Sequence, residues 1–392
     1  MSTKELFIKE KKKYTRVQSI LRFLLVPAIK RYYNYEFEDF SYIEGPYLLL
    51  ANHNDNLDPA FVGMATKQTL SYVATENAFR GKLAGRLLHF IADVIIHKKG
   101  KVGFGTVLQM QKRLKAGNSV VLFPEGNRSF NGETMDVDYN ALCIMASACK
   151  IPIVTFRMEG GYLTHPRWST GNRRGKIIGK VQNIYKPEEL KSNQADSCAR
   201  IKSDLYTNAF EYQKTARIAY KGKNLALGME STLFMCPACK EYGRLSSDCD
   251  NIYCDCGLKY QYNEYGELIG QDTEDFTILE WDKMQREDIE KKQLEEISFP
   301  TDYVKIYSIG DKHDIISSFK AELQVVKGKI FIRVNEEKEI ELEPDKIEGF
   351  SIFSRNTVNA YYDGLQYEIK GSIPFNALKY LYLYNKTCKG KK

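Results

Sequence analysis

Between residues 45 and 185 the chain alternates short apolar runs with stretches of helical apolar spacing. The runs Tyr47–Ala51, Leu70–Ala74, Asp93–Ile96, Val120–Phe123, Ile151–Phe156 and Ile177–Val181 are apolar throughout more than alternating. That pattern suits strands covered on both faces. Gly103–Lys115 and Tyr139–Cys149 read as crossover helices between them. The expected fold is therefore α/β, a largely parallel sheet flanked by helices. A helix near Pro187–Gln213 is expected to close it.

The pattern changes past residue 222. Residues 222–231 are rich in glycine and small side chains and read as a linker, followed by a cysteine cluster. A charged helical stretch spans Phe276–Glu296, and strand-like pieces follow at Val304–Ser308, Glu322–Val326, Lys329–Val334 and Lys338–Leu342. Asp363-Gly364 between Asn359–Tyr362 and Leu365–Ile369 is a hairpin signal. Pro374–Tyr384 looks like one amphipathic helix. The expected domains are an N-terminal segment 1–31, an α/β domain 32–222, a cysteine ribbon 232–272 and a small β-rich domain 276–392. Strands capped by a final helix suggest a barrel or sandwich, of a kind that resembles the pleckstrin-homology type.

Composition narrows the class. Of 392 residues, 43% are hydrophobic and 27% charged, the balance of a folded chain, and the net charge is +7. Such an excess fits an anionic membrane or a phosphate-bearing substrate without compelling nucleic acid binding. The N-terminus lacks an apolar run followed by a small-residue cleavage site, so a cytoplasmic location is expected. No stretch reaches the ~20 apolar residues of a membrane span. Ile20 to Ile29 is interrupted by Arg22 and Pro27, yet Lys11, Lys12, Lys13 and Arg16 precede it, and Lys30 and Arg31 follow. This segment either rests peripherally in the interface of an anionic bilayer or packs as a helix on its own domain.

The candidate chemistry begins at Leu50-Ala51-Asn52-His53-Asn54-Asp55-Asn56-Leu57-Asp58-Pro59, where an apolar run ends in a polar stretch. In open parallel sheets the ligand crevice lies outside the carboxyl ends of the strands. A histidine takes a proton near neutral pH, and a carboxylate can fix its tautomer and stabilise the imidazolium. On a regular helix, residues five apart point about 140° away from each other. His53 and Asp58 meet only if the chain turns between them. Otherwise Asp58, ahead of Pro59, is a helix cap. A second strand ends in Phe123-Pro124-Glu125-Gly126-Asn127-Arg128-Ser129. Glu125 and Arg128 are expected on the same sheet edge as His53. Gly126 permits close backbone approach, and the planar fork of Arg128 suits a phosphate.

Asn-His, four residues and Asp, followed further on by Phe-Pro-Glu-Gly-x-Arg-Ser, resembles the glycerolipid acyltransferase family, which includes the 1-acylglycerol-3-phosphate acyltransferases. Ile95-Ile96-His97-Lys98-Lys99-Gly100 and Ile151-Pro152-Ile153-Val154 resemble two further blocks of that family in looser form. The resemblance spans roughly residues 45 to 185. It implies His53 as general base with Asp58 orienting it, Glu125 and Gly126 shaping the acceptor site, and Arg128 with Lys98 or Lys99 holding an acceptor phosphate. Two departures bear on the acceptor. Asn127 stands where the family often has Thr, and His97 with two lysines replaces the usual residues around the second block's arginine.

Cys236-Pro237-Ala238-Cys239 and Cys254-Asp255-Cys256 can close a tetrahedral structural zinc site. The second pair is CxC where a ribbon usually has CxxC, and Cys249 is an alternative ligand. Nothing around the pairs suggests a redox βαβ motif, and Tyr242, Tyr253 and Tyr260 among few basic residues do not make a nucleic acid surface. His89 and His165 read as surface or lightly buried histidines, Cys143 and Cys149 as small hydrophobes, and Lys283–Glu296 as a solvated helix face.

The function these features imply is acyl transfer from acyl-CoA or an acyl carrier protein to a lysophosphatidate-like hydroxyl, giving phosphatidic acid. No cofactor is needed for the transfer itself. Alternatives are a different lysolipid acceptor, a thioesterase using the same His-Asp pair, or a non-catalytic lipid-binding scaffold.

Overall fold

A computed structural model describes residues 3–75, 90–97, 104–271, 273–310, 315–335, 338–343, 346–372 and 374–389. The chain divides into two compact units. One comprises residues 1–166 and 173–221, the other residues 167–172 and 222–392.

The first unit is built on a seven-stranded sheet. Its strands are β1 (Tyr35–Phe37), β2 (Leu48–Ala51), β3 (Leu70–Thr75), β4 (Asp93–His97), β5 (Ser119–Leu122), β6 (Ile153–Glu159) and β7 (Ile177–Tyr185), in the order β1-β7-β6-β2-β5-β3-β4. All pairings are parallel except β6 with β7. The α/β expectation holds, and strand ends differ from the sequence reading by a few residues. Continuous apolarity has the predicted cause. Leu49, Ala51, Val121 and Phe123 enter one core, while Leu48, Leu50 and Val120 enter the other, on the opposite face of the sheet.

Helices Phe104–Lys115 and Asn140–Cys149 are the expected crossovers. The closing helix is instead three shorter ones, Pro187–Ser192, Gln194–Leu205 and Ala209–Ala216. Asn193 lies between the first two, and the Asn208 side chain caps the third by accepting from the N–H groups of Phe210 and Glu211. Asparagine competes with the helical backbone for its own hydrogen bonds, and so favours such breaks.

The N-terminal segment is a long helix, α1 (Thr3–Tyr33), that continues through Pro27. Its amphipathicity is inverted. Tyr14 and Gln18 are buried, and Arg22 donates to the carbonyls of Gly63 and Lys67, each at 2.9 Å, and to that of Gln68. Ile20, Phe23 and Leu24 face outward, with Phe23 82% exposed. Among the described residues, no helix is long and apolar enough to cross a membrane.

The second unit holds a five-stranded antiparallel sheet over residues 245–277, in the order β12-β11-β10-β9-β8. Its strands are β8 (Leu245–Asp248), β9 (Asn251–Cys254), β10 (Lys259–Tyr262), β11 (Glu267–Gly270) and β12 (Phe276–Thr277). Residues 222–231 are no loose linker. Ala226 and Met229 are fully buried, and Leu225 N–H and Ala226 N–H donate to the Asp250 side chain and the Cys249 carbonyl.

Helix Ile278–Lys291 opens with a complete capping box between Thr277 and Glu280. A seven-stranded antiparallel sheet follows, whose arms meet where Phe299–Ile309 pairs Leu365–Gly371. Helix Ala377–Lys389 ends the chain. The Asp363-Gly364 hairpin is present, with φ of 50° and 73° as a type I′ turn requires. Strand Ile347–Ser354 escapes the sequence pattern because register shifts near both of its ends break the alternation.

Candidate active site

Strand β2 lies between β5 and β6, and the chain leaves it in one direction to β3 and returns on its other side at β6. This is a topological switch point, where crevices open at the carboxyl ends of strands. Leu50 pairs with Leu122, so the segments after β2 and β5 emerge side by side. Asn52 fastens the first of them, since its amide donates to the Met158 carbonyl at 2.8 Å and its oxygen accepts the Met158 N–H at 2.7 Å.

Residues 52–57 form a turn ahead of the short helix α2 (Asp58–Met64), which lets residues five apart meet. The Asp58 carboxylate oxygen Oδ2 accepts from His53 Nδ1 at 2.8 Å, Asn54 N–H at 2.6 Å and Asp55 N–H at 2.8 Å. Asp58 is therefore both the partner of His53 and the tie that closes the turn. Its side chain is buried, while that of His53 remains 21% exposed. The imidazole lies against the Phe123 ring, with centroids 4.7 Å apart.

The second segment grips the first. Glu125 Oε1 accepts the backbone N–H of His53 at 2.7 Å, and Oε2 accepts that of Met135 at 3.0 Å. The Ser129 N–H donates to the His53 carbonyl at 2.9 Å. Burial pushes the Glu125 carboxyl up to about 8, outweighing those two N–H donors, and the charge of Asp58 adds to the rise. Gly126 has φ of 64°, and an added Cβ would meet nothing within 4 Å, so backbone conformation rather than space calls for glycine there.

Arg128 Nη1 lies 3.3 Å from His165 Nδ1 and 3.4 Å from the His165 carbonyl. Burial lowers the Arg128 pKa, and Asp55 and Asp58 oppose that fall. Asp55 is itself raised to about 7, first by burial and then by Asp58, against a hydrogen bond from Leu57 N–H and the charge of Arg128. Its Oδ2 is buried with no hydrogen-bond partner among the described residues.

The structure thus brings together His53, Asp58, Glu125, Gly126 and Arg128. Lys98 and Lys99 lie outside the described residues, as does His89; the neighbouring His97 bonds Thr106 Oγ1 at 3.0 Å. Sequence reasoning missed Asp55; its reading of His165 as surface or lightly buried fits a side chain 21% exposed, but the contact with Arg128 was not foreseen. His165 sits after the short turn Gly161–Thr164. A Cβ on Gly161 would stand 3.2 Å from Asn54 Cβ, so this glycine seats the turn on the His53 loop. The only signal in the sequence was the Gly160-Gly161 pair after a strand.

The Sγ atoms of Cys236, Cys239, Cys254 and Cys256 all lie within 4.8 Å of one another. The Cys236–Cys256 and Cys239–Cys254 separations are 3.7 and 3.8 Å. A tetrahedron with metal–sulfur bonds of about 2.3 Å has edges of about 3.8 Å, so these thiols fit a single metal ion. The CxC pair succeeds because a turn follows β9, where Gly257 N–H returns to the Cys254 carbonyl and Cys254 N–H to that of Leu258. Cys249 is not in the cluster.

Residues 31–159 match the family model described as Acyltransferase. The chain is similar to a probable 1-acyl-sn-glycerol-3-phosphate acyltransferase of Mycoplasma genitalium, 26% identical over 180 residues and covering 42% of this chain. It spans 66% of that relative's length. It is also similar to the crystal structure of the 1-acyl-sn-glycerophosphate (LPA) acyltransferase PlsC from Thermotoga maritima. That match has a TM-score of 0.38 and 16% identity, and covers 48% of this chain and 79% of the other.

Proposed function

We propose that this chain, whose residues 31–159 match the Acyltransferase family model, is a glycerolipid acyltransferase that moves a fatty acyl group from a thioester donor to the hydroxyl of a lysophosphatidate-like acceptor. The observation that carries this reading is the contact of the partly exposed His53 imidazole with the buried Asp58 carboxylate, 2.8 Å at the rim of a parallel sheet.

An ionised Asp58 only accepts hydrogen bonds, so Nδ1 holds the donated proton and Nε2 carries the lone pair. Nε2 takes the proton of the acceptor hydroxyl as its oxygen attacks the thioester carbonyl carbon. Collapse of the tetrahedral adduct forms the ester and breaks the carbon–sulfur bond. The departing thiolate takes the proton back from the imidazolium, leaving the enzyme unchanged. General base catalysis of this kind contributes ~10²–10⁴-fold. Holding donor and acceptor together supplies much of the rest. Arg128, with Lys98 or Lys99, holds the acceptor phosphate, and acyl-CoA or an acyl carrier protein supplies the acyl group. The product is phosphatidic acid, which places the chain in phospholipid biosynthesis.

The outward apolar stripe of α1, between Arg16 and Lys30, supports a peripheral seat on an anionic membrane at its cytoplasmic face. The four clustered thiols support a structural zinc ion, a role in folding rather than in the transfer.

The test follows free thiol and phosphatidic acid together, with acyl-CoA present and lysophosphatidate added or omitted. Acyl transfer requires thiol release to depend on the acceptor. Equal release without it makes the chain a thioesterase. His53→Ala is expected to abolish transfer while keeping the parent's circular dichroism; unchanged turnover would remove His53 from the chemistry.

A further inference from the structure

We propose that His165 is a positioning residue for the acceptor phosphate, holding the Arg128 guanidinium in place beside Asp55 and the His53–Asp58 pair. This rests on the reading of Arg128 as a phosphate ligand given above.

The donor inventory fixes the direction of the contact. A guanidinium has only N–H donors, so at 3.3 Å from Arg128 Nη1 the His165 Nδ1 must offer its lone pair. His165 is then the neutral tautomer with its proton on Nε2. The same guanidinium nitrogen lies 3.4 Å from the His165 carbonyl. One residue therefore presents two acceptors to one arginine nitrogen, which restricts the side chain at both its plane and its reach.

The anchor of His165 explains how this placement is transmitted. It follows the turn Gly161–Thr164, and an added Cβ at Gly161 would stand 3.2 Å from Asn54 Cβ, 3.8 Å from Asp55 Cβ and 3.9 Å from Asp58 Oδ1. The turn bearing His165 is thus seated on the loop bearing His53, and through His165 it also reaches the turn bearing Arg128. Asp55 completes the arrangement. Its buried Oδ2 is 3.9 Å from His165 Nδ1, and its charge opposes the loss of the Arg128 proton that burial favours. The two His165 acceptors carry no negative charge, so they place the guanidinium without cancelling its own.

Steady-state kinetics of the full chain with lysophosphatidate and acyl-CoA test the proposal. His165→Ala is expected to raise KM for lysophosphatidate about tenfold, the size of one lost hydrogen bond to a charged group. Both kcat and KM for acyl-CoA should stay within about threefold. His165→Asn, whose side-chain oxygen falls near the place of Nδ1, is expected to restore most of the lost affinity. In an Arg128→Ala background, His165→Ala should raise KM no further. A wild-type chain that fails to acylate lysophosphatidate overturns the functional reading and this proposal with it. A wild-type chain that acylates it, with KM unchanged in His165→Ala or no recovery in His165→Asn, overturns the positioning alone. Should His165→Ala not fold, the Asn variant carries the decision by matching the parent's KM or failing to.

Discussion

Replacing Asp58 by Asn separates the charge of this residue from its shape. Three donors converge on Oδ2 of Asp58, from His53 Nδ1, Asn54 N–H and Asp55 N–H. An asparagine must turn its carbonyl oxygen to the same place, since its amide group would meet three donors there. The His53 tautomer and the turn are then retained, and the loss is the negative charge beside the imidazolium of the proposed transfer. Two unit charges about 4 Å apart interact by about 4 kcal/mol at an effective dielectric near 20. That corresponds to about a 10³-fold fall in kcat. The asparagine amide would occupy the place of Oδ1, which is buried with no hydrogen-bond partner among the described residues. A stability loss of about 1–3 kcal/mol is expected from that alone. The two costs are measured apart, kcat by acceptor-dependent thiol release at saturating substrates and stability by thermal melting. Adding Asp58→Asn to His53→Ala should lower the residual rate no further, because the carboxylate acts through the imidazole. A kcat within about threefold of the parent, in a variant that melts as a folded protein, would refute the pairing.

Other expectations concern stability and surfaces. Burial and Asp58 raise the Asp55 pKa to about 7, so the native chain favours the neutral carboxyl. Its stabilisation is complete below the unfolded value near 4 and is lost as pH rises through about 7. Asp55→Asn keeps the acceptor for Leu57 N–H, facing the same Asp58, Arg128 and His165. Relative to the parent it should gain on the order of 1–3 kcal/mol between pH 5 and pH 8, and identical pH slopes in urea melts would contradict this. For the cysteine cluster, elemental analysis of the purified chain should find one zinc per molecule. Cys239→Ser should lose it together with the melting transition of the second unit, and a metal-free parent with the same melting curve would remove the ion. Exchanging both Phe23 and Leu24 for Ser should cut binding to anionic vesicles at least ~10-fold without lowering the melting temperature, because both side chains face outward. Undiminished flotation with the vesicles would exclude α1 as the contact.

Chain order and local chemistry alone determined a good deal of this protein. Runs such as Leu48–Ala51 and Val120–Leu122 are apolar at every position because each successive residue enters the core on one face or the other. That demand on both faces is written into composition, so the two-sided sheet was legible. The Asp363-Gly364 turn was legible as well, since few residues tolerate its positive φ angles. Resemblance to the glycerolipid acyltransferase motifs, rather than spacing, named His53, Asp58, Glu125 and Arg128 as one group.

The tertiary structure decided what depends on partners far apart in the chain. Arg22 looked like an interruption of an apolar run, but carbonyls of residues 63, 67 and 68 draw it inward and leave the apolar side chains outside. His165 had little pattern around it beyond the preceding Gly160-Gly161 pair, because its meaning comes from a contact with Arg128 across 37 positions. Whether Asp58 caps a helix or orients His53 could not be read from spacing. It orients His53 and does not cap the helix: no side chain caps that helix, and the carboxylate oxygen receives the imidazole and two backbone N–H groups of the preceding turn. Periodicity records which face of an element is buried. Which side chains then converge is settled only when the elements pack.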